Sequence, residues 1–221
     1  MTLEALRHAA ADIGLTVRGG FHPAAGDGVP GTVATLVLLG LTGRHGWARF
    51  LDSSEYRDGH ADPLDRWSRR VVGALAESVS GVAFYPFGGP PFLPFGRWAA
   101  RAEAVFPSPL GLLIHPDWGL WHSYRGALGF AQRLALPSPD SRPSPCIDCV
   151  DRPCLSACPV GAFGPAGYDV AACIGHLDRP EGAACRTAGC RARRACPVGS
   201  AAQHGPEQAA FHMQAFRRAQ G

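Results

Sequence analysis

All eight cysteines of this 221-residue chain lie in its last third, in two sets that each end in Cys-Pro-Val-Gly. The first set is Cys146, Cys149, Cys154 and Cys158, followed by Pro159, Val160 and Gly161. The second is Cys173, Cys185, Cys190 and Cys196, followed by Pro197, Val198 and Gly199. Four thiolates converging on one point hold a [4Fe–4S] cluster, and in two-cluster ferredoxins the fourth comes from the other run's Cys-Pro. Eight cysteines suffice for two clusters, and the chemistry they imply is electron transfer. By the crossed pattern, cluster one takes Cys146, Cys149, Cys154 and Cys196, and cluster two takes Cys158, Cys173, Cys185 and Cys190. The gaps exceed those of the compact C-x2-C-x2-C-x3-C-P run: four residues separate Cys149 from Cys154, and four and five separate Cys185, Cys190 and Cys196. Longer loops still converge, because loop closure costs little per added residue.

Two other uses of the cysteines must be weighed. An even number suits a disulfide framework. The N-terminus, however, carries Glu4 and no long apolar run, unlike a secretory signal, so a cytoplasmic protein with reduced thiols is expected. Two structural zinc sites are the second alternative, since Cys146-x2-Cys149 and Cys185-x4-Cys190 would suit thiolate ligation. The doubled Cys-Pro ending favours iron–sulfur over zinc.

The other stretch dense in functional side chains is Ile114–Gly126, which contains His115, Trp118, Trp121, His122, Tyr124 and Arg125. Aromatic rings pack on a planar ligand, and Arg pairs with a carboxylate or phosphate. An aromatic hairpin with a satisfied core His explains the same residues without a ligand. Strand alternation would put Trp121, Ser123 and Arg125 on one face and His122 and Tyr124 on the other. Gly40–Gly46 lacks a G-x-G-x-x-G or Walker pattern and reads as a turn, and Gly88-Gly89-Pro90-Pro91 reads as a rigid loop. Arg191, Arg193 and Arg194 could tune a cluster or dock a partner; a solvated basic loop is the plain alternative.

The elements that position these residues read as an α+β, layered N-terminal domain over 1–136. A Pro-rich linker follows at 137–145, then a small double-cluster domain at 146–204 and a C-terminal helix at 205–221. Thr2–Ile13 is an amphipathic helix ended by Gly14. Val33–Leu39 is a continuous apolar run and so a buried strand. Asp62, as N-cap, and Pro63, at N1, open a helix that buries Leu64, Trp67, Val71, Leu75 and Val79. Arg97–Val105 is a further helix. Leu15–Arg18 and Val82–Tyr85 are strands, and Leu112–Ile114 with Leu120–Gly126 form a hairpin. The last helix, Pro206–Gln220, carries Phe211, Ala215 and Phe216 on one side. The formal charge is +3, and all 21 basic residues are Arg. This is not the basic footprint of a nucleic-acid binder, and no run is apolar enough to span a bilayer.

The pattern His115-Pro116-x-aromatic-Gly119-x-Trp121, followed by Arg125-Gly126, resembles the ligand-cavity hairpin of the cobalamin-processing CblC family, and Asp62-Pro63-Leu64-Asp65 is similar to a segment upstream in it. With Trp98-Ala99-Ala100-Arg101-Ala102 before the hairpin, and Cys173-Ile174 between the cysteine runs, most of the chain also resembles epoxyqueuosine reductase. That enzyme joins a CblC-like domain to a two-cluster ferredoxin module. The resemblance implies a CblC-like, nitroreductase-related fold followed by a bacterial-ferredoxin-like domain. It also implies a corrinoid such as cobalamin, ahead of flavin, held by His115, Trp121, Tyr124 and Arg125. Gly81–Ala102 contains no Asp or Glu where the reductase has its catalytic acid, and Ser108-Pro109-Leu110 replaces its Gly-Lys, so epoxyqueuosine is not the expected substrate. Two function classes stay open. One is a corrinoid-related oxidoreductase fed by two [4Fe–4S] clusters. The other is a ferredoxin-type carrier whose N-terminal domain docks a partner. Either requires a redox partner protein.

Overall fold

The structure is a computed structural model that describes residues 1–138 and 140–220. Pro139, in the expected linker, and Gly221, in the expected C-terminal helix segment 205–221, lie outside the described residues. The chain forms two compact units, Met1–Ala104 with His122–Ser141, and Val105–Trp121 with Arg142–Gly221. The later junction, between Ser141 and Arg142, falls inside the Pro-rich stretch. The earlier two differ from a boundary at 136, because Val105–Trp121 packs with the cysteine-bearing segment.

The first unit contains α1 (Leu3–Asp12), β1 (Thr16–Phe21), β2 (Thr35–Thr42), α2 (Trp47–Leu51), α3 (Ser54–Arg57), α4 (Pro63–Ser78), β3 (Val82–Phe84) and α5 (Phe95–Ala102). The chain then leaves for β4 (Phe106–Pro107) and β5 (Leu113–Ile114) of the second unit, and returns as β6 (His122–Phe130). The sheet order is β1-β2-β6-β3, antiparallel throughout, so the fold is α+β. All eight residues of β2 are buried, which is why its sequence shows no polar alternation: both faces are covered. Helix α4 buries Leu64, Trp67, Val71 and Leu75 and packs on β3 and β6. Val79 caps its C-terminus. Pro63 sits at N1 as expected, but Asp62 is left-handed (φ 50°) and its side chain caps nothing.

The expected hairpin of Leu112–Ile114 with Leu120–Gly126 does not form. β5 pairs with β4, and one bridge, His115 to Gly119, closes the turn. β6 instead fills the sheet between β2 and β3, where Gly126–Phe130 are all buried. Its register with β2 slips between Leu39–Gly126 and Gly40–Tyr124. Arg125 is thus the extra residue of a β-bulge, which breaks simple alternation and re-aims a side chain.

The second unit continues with α6 (Pro153–Ser156), β7 (Phe163–Gly164), β8 (Gly167–Tyr168), α7 (Val170–Leu177), α8 (Ala183–Ala188), α9 (Arg191–Arg194) and α10 (Pro206–Gln220). Leu110, Ile114, Leu120, Cys154 and Ala192 form its small buried cluster, with Cys146, Cys158, Cys190 and Cys196 packed against it. Helix α10 packs on α7 and α8, and Phe216 stacks on Tyr168 at 6.1 Å between ring centroids. Two left-handed glycines let the turn before β6 cross the second Cys-Pro-Val-Gly backbone. A Cβ on Gly119 (φ +55°) would lie 1.9 Å from the Val198 carbonyl oxygen, and one on Gly199 (φ +67°) 2.3 Å from the Trp118 carbonyl carbon. Among the described residues, no helix is long and apolar enough to cross a membrane.

Candidate functional site

Cys146, Cys149, Cys154 and Cys196 line one small cavity with Pro109, Ile114, Arg152 and Val198. Pro153, at N1 of α6, starts the turn that carries Cys154 inward. Cys196 arrives 42 residues after Cys154, beyond α9. Burial pushes the Cys146 thiol up, and so do the neighbouring Cys196 and Cys149. Cys154 is raised by burial and by Cys196, Cys146 and Cys149. Burial likewise raises Cys196, which accepts an N–H from Val198, and Cys149 adds to the rise. The four groups therefore feel one another in an apolar, half-buried place.

Cys158, Cys173, Cys185 and Cys190 are linked by electrostatic influence on one another rather than by a cavity such as this. Burial raises Cys173; the Tyr168 hydroxyl lowers it, and Cys158 and Cys185 raise it. Cys190 is raised by burial, lowered by the N–H groups of Arg193 and Ala192, and raised by Cys173 and Cys185. The phenol of Tyr168 is pushed up by burial, by its bond to Cys173, and by Cys173, Cys190 and Cys158. Ala162 N–H points at the Cys158 sulfur at 3.3 Å. All eight cysteines are free thiols. Among the described residues, no three His, Cys, Asp or Glu side chains are arranged to hold a single metal ion.

The four residues expected to hold a planar cofactor are divided between the units. His115 and Trp121 belong to the second, Tyr124 and Arg125 to the first. The His115 ring caps its own turn, Nδ1 accepting N–H groups from Asp117 at 3.0 Å and Trp118 at 3.3 Å. Trp121 is buried under the Arg193 guanidinium, 4.4 Å from its ring centroid, and against His204. The Tyr124 hydroxyl donates to Glu103 at 2.5 Å. Arg125, the bulge residue, turns to α4, donating to Ser68 at 2.9 Å and pairing with Asp65. Arg125 was expected to meet an anion, but its anion is Asp65 of the chain itself.

Three features of the first unit and its neighbour escaped the sequence reading. Glu103, the residue after the acid-free stretch, forms a buried group with Arg18 (Nη2 to Oε1, 2.8 Å) and Tyr124; burial raises its carboxyl against the pull of Arg18. Arg69 lies over Tyr85 and Phe87, 5.3 and 5.5 Å from their centroids, at an open cavity of about 260 Å³ that Gly88, Gly89, Pro91 and Leu93 complete. Arg193 donates twice to the Leu120 carbonyl, from Nε at 3.1 Å and Nη2 at 2.5 Å. In each case the partners are distant in sequence, so only an arginine near an aromatic or an acid could have hinted at them.

No protein-family model matches the chain, and neither does any curated protein.

Proposed function

We propose that the protein is an iron–sulfur electron-transfer protein with two [4Fe–4S] clusters, one on Cys146, Cys149, Cys154 and Cys196 and the other on Cys158, Cys173, Cys185 and Cys190. One observation carries the reading: Cys196 shares a cavity with the first run rather than with Cys185 and Cys190, its neighbours in sequence. Mutual repulsion among four half-buried thiolates is what a bound cationic core relieves. A cubane fills the space between its thiolates, so they need not close around one ion as zinc ligands do at about 2.3 Å. When bound, each cluster would take up and release an electron. The chain's own contribution is the N–H groups aimed at Cys158, Cys190 and Cys196, since hydrogen bonds to sulfur set a cluster's potential. In the same reading the second unit is ferredoxin-like and the first CblC-like and nitroreductase-related. The chain would work with a redox partner protein in the cytoplasm.

The seat for an acceptor in the first unit is the Arg69 cavity. Arg69 has no carboxylate partner among the described residues, and two aromatic rings lie beneath it. At about 260 Å³ the cavity falls below the ~300–1,000 Å³ typical of small-molecule pockets, so a corrinoid would sit largely outside it. This size, with Tyr124 and Arg125 engaged internally, favours the second reading: a ferredoxin-type carrier whose first unit docks a partner. Epoxyqueuosine is not proposed as substrate, because the nearest acid, Glu103, is already bonded to Arg18 and Tyr124.

Anaerobically purified protein should contain about eight iron and eight sulfide per chain, four of each per cubane, with a broad visible absorption that dithionite bleaches. Stoichiometric zinc without that absorption would overturn the proposal. Cobalamin and flavin titrations of the same sample separate the two readings: a spectral shift supports an acceptor in the first unit, and no shift at large excess supports the carrier.

A further inference from the structure

The two most exposed large apolar side chains among the described residues bracket one thiol of the first cysteine set. Ile147 is 71% and Val150 91% exposed, and Cys149, which lines the shared cavity, stands between them. Each is followed by an exposed acid, Asp148 and Asp151. The nearby arginines are already engaged. Arg142 is held by Asp117 at 2.6 and 2.8 Å, and Arg152 lines the cavity of the four thiols. A single exposed apolar residue is ordinary. Two that flank one thiol, each with an acid after it, make a patch of apolar and acidic groups over one site. The loop is also pinned at both ends. Ile147 N–H donates to the Ser144 carbonyl at 3.1 Å, and Leu155 N–H donates to the Arg152 carbonyl at 2.9 Å. Little ordering is therefore needed for a partner to cover it.

The surroundings of the second set differ. Cys173 and Cys185 sit on α7 and α8, against which α10 packs. Phe163 and Phe216 stack on Tyr168, which precedes α7. The exposed charges beside Cys190 are basic, Arg191 and Arg194.

We propose that the Cys146–Arg152 loop is the docking surface for a redox partner whose apolar patch is rimmed by lysines and arginines, and that electrons cross to it at the first cysteine set. This rests on the two-cluster reading above. One electron moves per encounter: the cluster is oxidised as the partner's redox group is reduced, or the reverse, and no proton or covalent bond changes. Four thiolates around a cubane keep the site negative, and Asp148 and Asp151 extend that charge outward. Such a field steers a basic partner to the loop and raises its association rate. Ile147 and Val150 then form the apolar centre that an interface carries inside its polar rim. A contact this small suits a transient electron-transfer encounter.

The probe is an oxidised, lysine-rich c-type cytochrome. It is mixed anaerobically with holoprotein reduced by dithionite and freed of the excess, and haem reduction is followed by stopped flow over a range of salt. Asp148→Asn with Asp151→Asn should slow the second-order rate about tenfold at low salt and flatten its salt dependence. Glu181→Gln with Glu207→Gln, which removes the same charge elsewhere in the second unit, should leave the rate near wild type. Ile147→Ser with Val150→Ser should slow it even at high salt, where charge is screened. Each variant is compared at equal iron, sulfide and visible absorption. No slowing in the Asp pair, or equal slowing in the Glu pair, would overturn the proposal. A second readout needs neither turnover nor a variant: carbodiimide cross-linking of the two oxidised proteins, mapped by mass spectrometry. The chain contains no lysine, so links to the cytochrome's lysines report its carboxylates alone. They should fall on Asp148 and Asp151. Links confined to other acids would overturn the docking surface even if the Asp variants fail to load iron. A wild-type protein without iron and sulfide would overturn the two-cluster reading itself, a result distinct from all of these.

Discussion

The first unit is organised by a four-stranded sheet whose second strand is buried at all eight positions. In the second, each strand has two residues and the buried cluster contains a cysteine among five members. The first unit also closes its buried charges on themselves, through Arg18–Glu103 and Arg125–Asp65. The second leaves Arg193 without a carboxylate partner among the described residues and eight thiols free. One half thus holds itself together by packing and internal ion pairs, while the other carries eight free thiols that the two-cluster proposal would fill from outside the polypeptide. Ligand binding to a site that does not exist in the unfolded chain is itself folding free energy.

The largest effect expected from this contrast is on removing iron. Stripping the protein with a chelator and a reductant should abolish amide-exchange protection across Arg142–Gln220 and leave β2, β6 and α4 protected as before. Equal loss in both units would end the contrast, and so would retention in both. Next in size is Glu103→Gln. It strands Arg18, whose side chain is 1% exposed, and breaking a buried pair from one side typically costs about 3–5 kcal/mol. Denaturant unfolding should show that loss in the first unit, while the visible absorption of the iron-loaded protein persists. Replacing both partners, as Arg18→Leu with Glu103→Leu, should restore much of it.

The smallest effect is a pH dependence confined to the first unit. Glu55 bonds Arg70 at 2.6 Å, and that bond holds its carboxyl at about 2 instead of its ordinary 4.5. A depressed acid stabilises the folded state fully above the unfolded value and loses that stabilisation as pH falls through the folded one. The contribution should therefore be complete above pH 4.5 and fade toward pH 2. Arg70 is half exposed, so it amounts to about 1 kcal/mol or less. Glu55→Gln should flatten this part of the curve in acid unfolding followed by tryptophan fluorescence, and a curve identical to wild type would remove the pair from the account.

Much of the first unit was legible because its signals are local. Helical periodicity marks α1, Pro63 at N1 marks α4, and the unbroken apolar run marks β2. The hairpin was misread because pairing is a non-local choice: Leu113–Ile114 found Phe106–Pro107, and the apolar end of β6 was drawn into the sheet. The bulge at Arg125 has no signature in the residues around it, so alternation could not tell that Tyr124 and Arg125 would meet an acid on α5's far end and an acid on α4. The gathering of Cys146, Cys149, Cys154 and Cys196 was legible because Cys-Pro ending two runs is a rule about chain crossing. Arg193 could be named from sequence only as one of three arginines; burial and the Leu120 carbonyl single it out.

The excursion of Val105–Trp121 bears on how such a protein can be cut and recombined. A gene fragment starting at Arg142 would encode all eight thiols, yet omit the Gly119 turn on which Val198 and Gly199 rest and the carbonyl that Arg193 grips. Deleting that fragment would leave the first unit with an orphaned loop between α5 and β6, rich in apolar side chains such as Leu110, Ile114 and Leu120. Neither half is portable by a single crossover. Grafting the cysteine-bearing half onto another protein requires two segments, about twenty residues apart in the gene, to travel together.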